Sequence, residues 1–410
     1  MKSLLITSTF PPRLGGRENY LYNLFAHLPA EEVVVLTPDR EGDWERFDRE
    51  SPFPIIRTEP EGFQWFYQGG RRLRWRWFSF LARLCRQEEV RVVHCGTALP
   101  DGLSALLLQR TLGLPYVVYT FGLEVLRYRD QPWTHQRLMR ALHEASRVVA
   151  ISNFTKRELV RLGLPADKVT TIYPGLDTQR FRPDPEAGAA LRKRLGLEGK
   201  KVILTLGRLV PRKGQDRVIE ALPQVLRQVP DVVYLIAGDG PDRERLERLA
   251  WDQGVADHVR FVGRVAHGEG RAYYNAADLF VMASRRIEGE GDVEGFGIVF
   301  LEANACGLPV LGGRSGGVVE AVADGESGFL VDPNDPADIA RHIVALLRYD
   351  ELARRLGQQG LRRVRTQFSW RRAAAQVQAM NEALATGSPQ ARFRLLQGAQ
   401  FLLRKQWAAL

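Results

Sequence analysis

Hydrophobic positions along the chain fall into two alternating patterns. Short unbroken apolar runs, rich in Val, Ile and Leu, recur at residues 4–8, 33–37, 90–94, 116–119, 148–151 and 169–172. Continuous runs of this length predict strands buried on both faces, as in a parallel sheet. Between several of them lie stretches whose apolar residues are spaced as on one face of a helix. The pattern then starts again, with runs at 201–206, 232–238, 259–262, 279–283, 310–312 and 329–331. Strands alternating with helices, twice over, predict an α/β protein of two doubly wound domains. The length of 410 residues also fits two domains. Pro183, Asp184 and Pro185 read as a linker between them. No internal sequence repeat or low-complexity segment accompanies this, so the likeness of the halves is architectural.

The loops that follow predicted strands hold the candidate chemistry. After the first strand, Phe10-Pro11-Pro12-Arg13-Leu14-Gly15-Gly16 leads into a helix that begins at Arg17. Strand, glycine-rich loop and helix open a domain toward a ligand at the C-terminal edge of its sheet. The residues read equally as a tight turn. They are not a G-x-G-x-x-G fingerprint, so no nicotinamide cofactor is expected. In the second half, Gly207-Arg208-Leu209-Val210-Pro211-Arg212-Lys213-Gly214 precedes a helix over 215–228. Cations fixed where a leaving group gains negative charge stabilise the transition state more than the ground state. Arg208 and Lys213 are candidates for that work, and Arg212 reads as ordinary solvated charge.

The densest stretch is Glu294-Gly295-Phe296-Gly297-Ile298-Val299-Phe300-Leu301-Glu302. The spacing predicts a loop entering a helix near Gly297, which stops at Gly307, with a strand at 309–311. Glu294 then lies at the helix N-terminus, and Glu302 about two turns into the helix. Unpaired N–H groups and the helix dipole make that start an anion site. Carboxylates beside it suit sugar hydroxyls, from which they accept strong hydrogen bonds. The spacing of two glutamates alone occurs by chance in many helices.

The surrounding residues add to it. Glu294 to Glu302 with Gly-Phe-Gly, followed by Ala305-Cys306-Gly307-Leu308-Pro309-Val310, resembles the signature of the retaining glycosyltransferases of family 4. These are nucleotide-sugar enzymes of GT-B fold, two Rossmann-like domains facing a central cleft. The resemblance spans roughly residues 4–384 and is strongest in the second half. It implies an acceptor-side domain over 1–180 and a nucleotide-sugar domain over 181–369. A C-terminal helix at about 370–410 would pack back on the first.

The resemblance also implies roles. Gly-Arg-x5-Gly with Lys before the glycine is similar to the family's diphosphate loop. Arg208, Lys213 and Glu294 are therefore expected to be catalytic, with departure of the diphosphate and retention at the sugar. Glu302 would hold the ribose, and Ile298 and Val299 N–H groups the phosphate. Glu294 and the Phe296-Gly297 backbone would hold the donor sugar, and Val265 the base. Gly15 and Gly16 would approach the donor phosphates and the acceptor. Phe121 and Glu124 stand where the family has His-Gly-x-Glu/Asp, so the family's histidine contact is replaced by a phenylalanine. His94 ends another strand and reads as a satisfied structural residue. The run Gly291-Asp292-Val293-Glu294-Gly295 is similar to mannosyltransferases acting on phosphatidylinositol mannosides, which implies GDP-mannose as donor and a lipid-linked or glycan acceptor. No Asp-x-Asp motif stands in a convincing place, so neither a cofactor nor Mg is expected.

Composition adds limits. A hydrophobic fraction of 45% is that of a globular chain. No apolar run is long enough to span a bilayer. The first residues, Met1-Lys2-Ser3-Leu4-Leu5-Ile6-Thr7, read as a strand rather than a signal peptide. Cys85, Cys95 and Cys306 lack metal spacing, and an odd count argues against a disulfide framework, so a cytoplasmic place is expected. The net charge of +10 is compatible with nucleic acid, an anionic membrane or a phosphorylated substrate. Residues 63–83 interleave Phe63, Trp65, Phe66, Tyr67, Trp75, Trp77, Phe78 and Phe80 with five arginines and no acid. One face of this stretch is expected to be buried, and the other to meet a membrane surface on its inner side. A single-strand nucleic acid platform uses the same chemistry but has no accompanying fold signature, so no nucleic-acid partner is expected. The tail 391–410 reads as packing on the first domain or lying on a membrane. The rival to an enzyme is a sugar-nucleotide- or lipid-binding protein on the same fold that has lost turnover, with Phe121 as its support.

Overall fold

The structure is a computed structural model and describes residues 1–13, 15–59, 63, 71–122, 131–266, 268–287 and 292–387. The chain divides into two compact units. One is Met1–Gly175 together with the segment that returns from Trp370, and the other is Leu176–Ser369.

The first unit is built on seven parallel strands. They are β1 (Ser3–Ile6), β2 (Val33–Thr37), β3 (Ile55–Arg57), β4 (Val92–Cys95), β5 (Tyr116–Thr120), β6 (Arg147–Ala150) and β7 (Val169–Thr171). Their order is β3-β2-β1-β4-β5-β6-β7. The second unit holds six, β8 (Lys201–Leu206), β9 (Val232–Ala237), β10 (Val259–Gly263), β11 (Leu279–Met282), β12 (Val310–Gly313) and β13 (Gly328–Val331), in the order β10-β9-β8-β11-β12-β13. Both orders are doubly wound. The chain works outward on one side of the first strand, then crosses to the other side. At the crossing, neighbouring loops leave toward opposite faces and open a crevice at the C-terminal strand ends. The crevices lie between β1 and β4, and between β8 and β11.

Central strands are buried throughout, as unbroken apolar runs require: β1, β2, β4, β5, β9 and β11 have no exposed residue. The strand β3 was not legible in the sequence. It is three half-buried residues at a sheet edge, too short for any periodicity. The linker expected at Pro183-Asp184-Pro185 is a helix start instead. The Asp184 carboxylate accepts from the Ala187 N–H at 3.1 Å, and Pro185 opens the helix Pro185–Leu195. An Asp cap followed by proline is the strongest local signal for a helix N-terminus, and it outweighs the turn reading.

The helix Trp370–Gly387 belongs to the first unit. Trp370 lies edge-on to Tyr20, and the Asn381 side chain bonds His94. The helix Arg71–Gln87 buries Trp77, Phe78, Leu81, Ala82, Leu84 and Cys85. The Trp77 indole N–H donates to the Ser104 hydroxyl at 3.1 Å. Trp75, Arg76, Arg83 and Arg86 stand on its exposed side. One buried face is therefore found. Trp65, Phe66, Tyr67 and the tail 391–410 lie outside the described residues. All three cysteines are buried and unpaired. Among the described residues, no helix is long and apolar enough to cross a membrane.

Candidate active site

The second unit brings a set of charged groups together at the β8/β11 crevice. β8 ends in a loop that makes one tight turn at Pro211–Lys213 before the helix Gln215–Leu226. Gly214 ends this turn with φ +72°, and a Cβ there would lie 2.0 Å from the Ala283 carbonyl. Only glycine allows the turn to pass so close to the chain leaving β11. Two side chains then lock these loops together. Asp216 and Arg285 form a buried two-pronged pair at 2.8 and 2.7 Å, with Arg245 at 3.3 Å. The Arg285 N–H also donates to the Arg212 carbonyl at 2.9 Å. Burial pushes the Asp216 carboxyl up, but the hydrogen bonds and charge of Arg285, with Arg245, pull it below the ordinary range.

On this frame sits Glu294. Its Oε2 accepts from Lys213 Nζ at 2.6 Å and from Arg212 Nη1 at 2.9 Å. Its side chain is 14% exposed. Burial raises its pKa, and the charges of Lys213 and Arg212 more than offset this, so the carboxyl lies below its ordinary value and is ionised. Arg212 also pairs with Asp292, Nε to Oδ1, at 2.9 Å. The Arg212 reading as solvated charge is thus corrected: the residue is 21% exposed and bound to two carboxylates. Its pairing partners come from a loop some eighty positions away, which no local pattern reveals.

The Glu294 backbone is held by the Gly317 N–H, which donates to its carbonyl at 2.8 Å. Gly297 then turns the chain at φ +90° into the helix Ile298–Ala305. The N–H groups of Ile298 and Val299 have no acceptor among the described residues, as expected of a helix start. Phe296 is buried with its ring on Phe368, so only its backbone faces outward. Glu302 is the fifth residue of the helix, a little over one turn in rather than two, because the helix begins at Ile298. Its Oε2 accepts from the Tyr274 hydroxyl at 2.7 Å. Burial raises the Glu302 pKa, and Tyr274 and the Arg180 charge only partly offset it. Tyr274 was not singled out in the sequence, and its spacing gave no signal. Arg208 is exposed and makes no ion pair among the described residues. Val265 is half-buried just past β10.

The first unit has its own cluster at the β1/β4 crevice. Gly15 precedes the helix Gly16–Phe25. A Cβ on Gly15 would lie 2.1 Å from Glu18 Oε2, so a carboxylate folds over this helix start. The Thr9 hydroxyl donates to Glu18 at 2.5 Å, and Arg17 donates to both. Asp101, after β4, is wholly buried. The Thr97 hydroxyl lies 2.8 Å from both the Leu99 carbonyl and Asp101 Oδ2. Burial pushes the Asp101 pKa up to about 7, and the hydrogen bond from Thr97 and the Arg17 charge only partly offset it.

Phe121 follows β5 with its ring edge-on to Tyr20 at 5.4 Å. The Tyr20 hydroxyl donates to the Ile172 carbonyl at 2.9 Å. Glu124 lies outside the described residues. His94 is fully buried between Asn381 at 3.0 Å and the Tyr119 hydroxyl at 3.2 Å, and burial pushes its pKa down to about 4. It is a satisfied structural histidine. Among the described residues, no cluster of His, Cys, Asp and Glu is placed to hold a metal ion.

Comparison with known proteins follows the same division. Residues 14–180 match the family described as Glycosyltransferase Family 4, and residues 189–363 match Glycosyl transferases group 1. The chain is 36% identical over 385 residues to the GDP-mannose-dependent alpha-(1-6)-phosphatidylinositol monomannoside mannosyltransferase of Mycolicibacterium smegmatis, covering 91% of this chain and 96% of that one. It is 33% identical over 374 residues to the GDP-mannose-dependent monoacylated alpha-(1-6)-phosphatidylinositol monomannoside mannosyltransferase of Corynebacterium glutamicum, covering 90% and 94%. Among solved structures, it is similar to Anabaena HepE in complex with UDP, with a TM-score of 0.79 at 20% identity over 93% of this chain and 100% of that one. It is also similar to the sucrose-phosphate synthase of Thermosynechococcus elongatus, with a TM-score of 0.77 at 25% identity over 95% and 100%.

Proposed function

We infer, for a chain that belongs to the group 1 glycosyl transferases with a family 4 domain ahead of it, that GDP-mannose is the donor and a phosphatidylinositol mannoside or related glycolipid the acceptor. The chain is a glycosyltransferase of GT-B fold. The observation that carries the site reading is Glu294, held ionised by Lys213 and Arg212 beside the open N–H groups of Ile298 and Val299.

In this reading the diphosphate lies at the start of the helix Ile298–Ala305, where backbone N–H groups and the dipole favour an anion. Arg208 and Lys213 meet the negative charge that grows as the glycosidic bond breaks. Glu294 and the backbone at Phe296 and Gly297 accept and orient the mannose hydroxyls. Glu302, positioned by Tyr274, takes the ribose hydroxyls, and Val265 lies against the base. The acceptor is met by the first unit, through Phe121 and Glu124, and Gly15 and Gly16 approach the acceptor and the donor phosphates. Transfer proceeds with retention at the anomeric carbon. Arg208 and Lys213 supply the positive charge at the diphosphate, so the proposal includes no metal ion, and excess EDTA is expected to leave the rate unchanged. The exposed side of the helix Arg71–Gln87 supports peripheral contact with an anionic inner membrane face, which binding to vesicles with and without anionic lipid tests.

Calorimetry with GDP-mannose, UDP-glucose, UDP-N-acetylglucosamine and GDP tests the donor. Preference for GDP-mannose, weakened by Lys213→Ala, supports it; a folded sample that binds none removes it. Turnover is tested separately. Hydrolysis or transfer by the wild type and not by Glu294→Ala supports an enzyme, whereas tight binding without either supports the binding-protein alternative.

A further inference from the structure

Two cations from one turn share a single oxygen of Glu294, and they are held very differently. Arg212 is fixed at three points. Its carbonyl accepts from the Arg285 N–H, its Nε lies on Asp292, and its Nη1 donates to Glu294. Arg285 is itself clamped on buried Asp216. Lys213 has Glu294 as the only side-chain partner of its ammonium among the described residues. An ammonium on a four-carbon stem is free to turn, whereas a guanidinium held in a fork is not. Without a donor, Glu294 holds Lys213 to itself and shares Arg212 with Asp292. A diphosphate arriving at the nearby helix start competes with Glu294 for a cation, and only one of the two can move.

We propose that Arg212 is a positioning residue, the resident counter-ion that keeps Glu294 ionised and aimed at the donor sugar, and that Lys213 is the exchangeable one, handed from Glu294 to the diphosphate. This rests on the donor reading above. Arg212 therefore acts on the sugar half of the donor through Glu294 and makes no contact with the nucleotide half. Glu294 in turn acts as a competing anion that holds Lys213 back from a bare nucleotide. The charged groups facing the Glu294 carboxylate are Lys213 and Arg212 from the β8 loop, with Asp292 beyond Arg212.

The test is calorimetry with GDP and with GDP-mannose across a pH series. It uses the full chain as wild type, Arg212→Gln, Arg212→Lys, Asp292→Asn and Glu294→Gln. Arg212→Gln is expected to leave GDP affinity within about threefold while weakening GDP-mannose on the order of tenfold, the scale of one lost charge-assisted contact. The acid limb of GDP-mannose binding should move to higher pH in Arg212→Gln and return in Arg212→Lys, because Lys213, drawn to the diphosphate, then leaves Glu294 without a counter-ion. Asp292→Asn should show the same split more weakly. Glu294→Gln should bind GDP more tightly than the wild type, since Lys213 is released. Equal loss of GDP and GDP-mannose in a folded Arg212→Gln would make Arg212 a phosphate ligand and overturn the proposal. No change in either ligand would return it to solvated charge. If Arg212→Gln does not fold, unchanged GDP affinity in Glu294→Gln overturns the exchange by itself. A wild type that binds neither nucleotide overturns the donor reading and this proposal together.

Discussion

At the end of β8 the chain presents Arg208 in the open and hands Arg212 and Lys213 to one carboxylate. At the end of β1, the corresponding place in a sheet of the same winding, it presents Glu18 folded over the helix start and, from the loop after β4, the buried Asp101, whose pKa is raised to about 7. Both crevices arise from the same reversal of strand order, and both are entered through glycine loops. Their chemistry is opposite. One gathers cations beside open backbone N–H groups, and the other gathers two carboxylates, hydroxyls and the Arg17 guanidinium at a helix start that Glu18 already covers. The fold fixes where a ligand can sit, and the side chains alone decide which ligand. On the proposed reading the diphosphate enters the first of these crevices.

Four substitutions sharpen or break this contrast. The largest effect is expected at the frame of the cationic crevice. Asp216→Ala leaves Arg285 buried without its partner and should destabilise the fold by about 3–5 kcal/mol, seen in urea unfolding. A loss below 1 kcal/mol would mean that the pair is not what locks the two loops. Next is Lys213→Ala, expected to lower the transfer rate roughly 10²–10³-fold, the scale of one lost donor to a developing charge. Rates within a factor of two of the wild type would remove the charge argument for this loop.

In the first unit, Asp101 makes the contrast visible as a pH effect. Its folded pKa, near 7, lies above the ordinary carboxyl value. The folded state therefore holds a proton that the unfolded chain gives up, so stability is fullest below the unfolded pKa and falls as pH rises toward 7. Asp101→Asn keeps the shape without the proton. It should flatten this fall and raise the Tm by a few degrees at pH 8. An unchanged pH profile of melting would show that Asp101 is ionised in the fold.

The smallest effect is expected at Tyr274→Phe. It removes one hydrogen bond to Glu302, worth about 1 kcal/mol, and should weaken GDP several-fold. With Tyr274 no longer holding it down, the Glu302 carboxyl should rise further, moving the acid limb of binding to higher pH. If GDP binds Tyr274→Phe and wild type alike at every pH, Glu302 does not face the nucleotide.

Much of this was legible because it is local. Apolar runs gave all the strands but β3, since burial on both faces leaves few polar positions in a strand. Gly297 and Gly307 bracketed the helix that carries Glu302, and the glycine loops announced both crevices. Two departures are also local: Asp184 caps a helix where the flanking prolines suggest a linker, and β3 is too short to show a period. The error at Arg212 has another cause. Its neighbours Pro211 and Lys213 say nothing about a carboxylate at position 294, and charge in a loop is usually solvated.

The sequence by itself determined the two doubly wound sheets and the residue types at their loops. Periodicity and turn chemistry act over a few residues, and every copy of such a pattern folds alike. Only the tertiary structure decided the pairings: Lys213 and Arg212 on Glu294, Arg285 on Asp216, Tyr274 on Glu302, and Asn381 on His94. These join segments far apart in the chain. Whether a charged side chain is solvated, neutralised or shifted in pKa depends on what burial brings against it, and that is set by packing rather than by its neighbours in sequence.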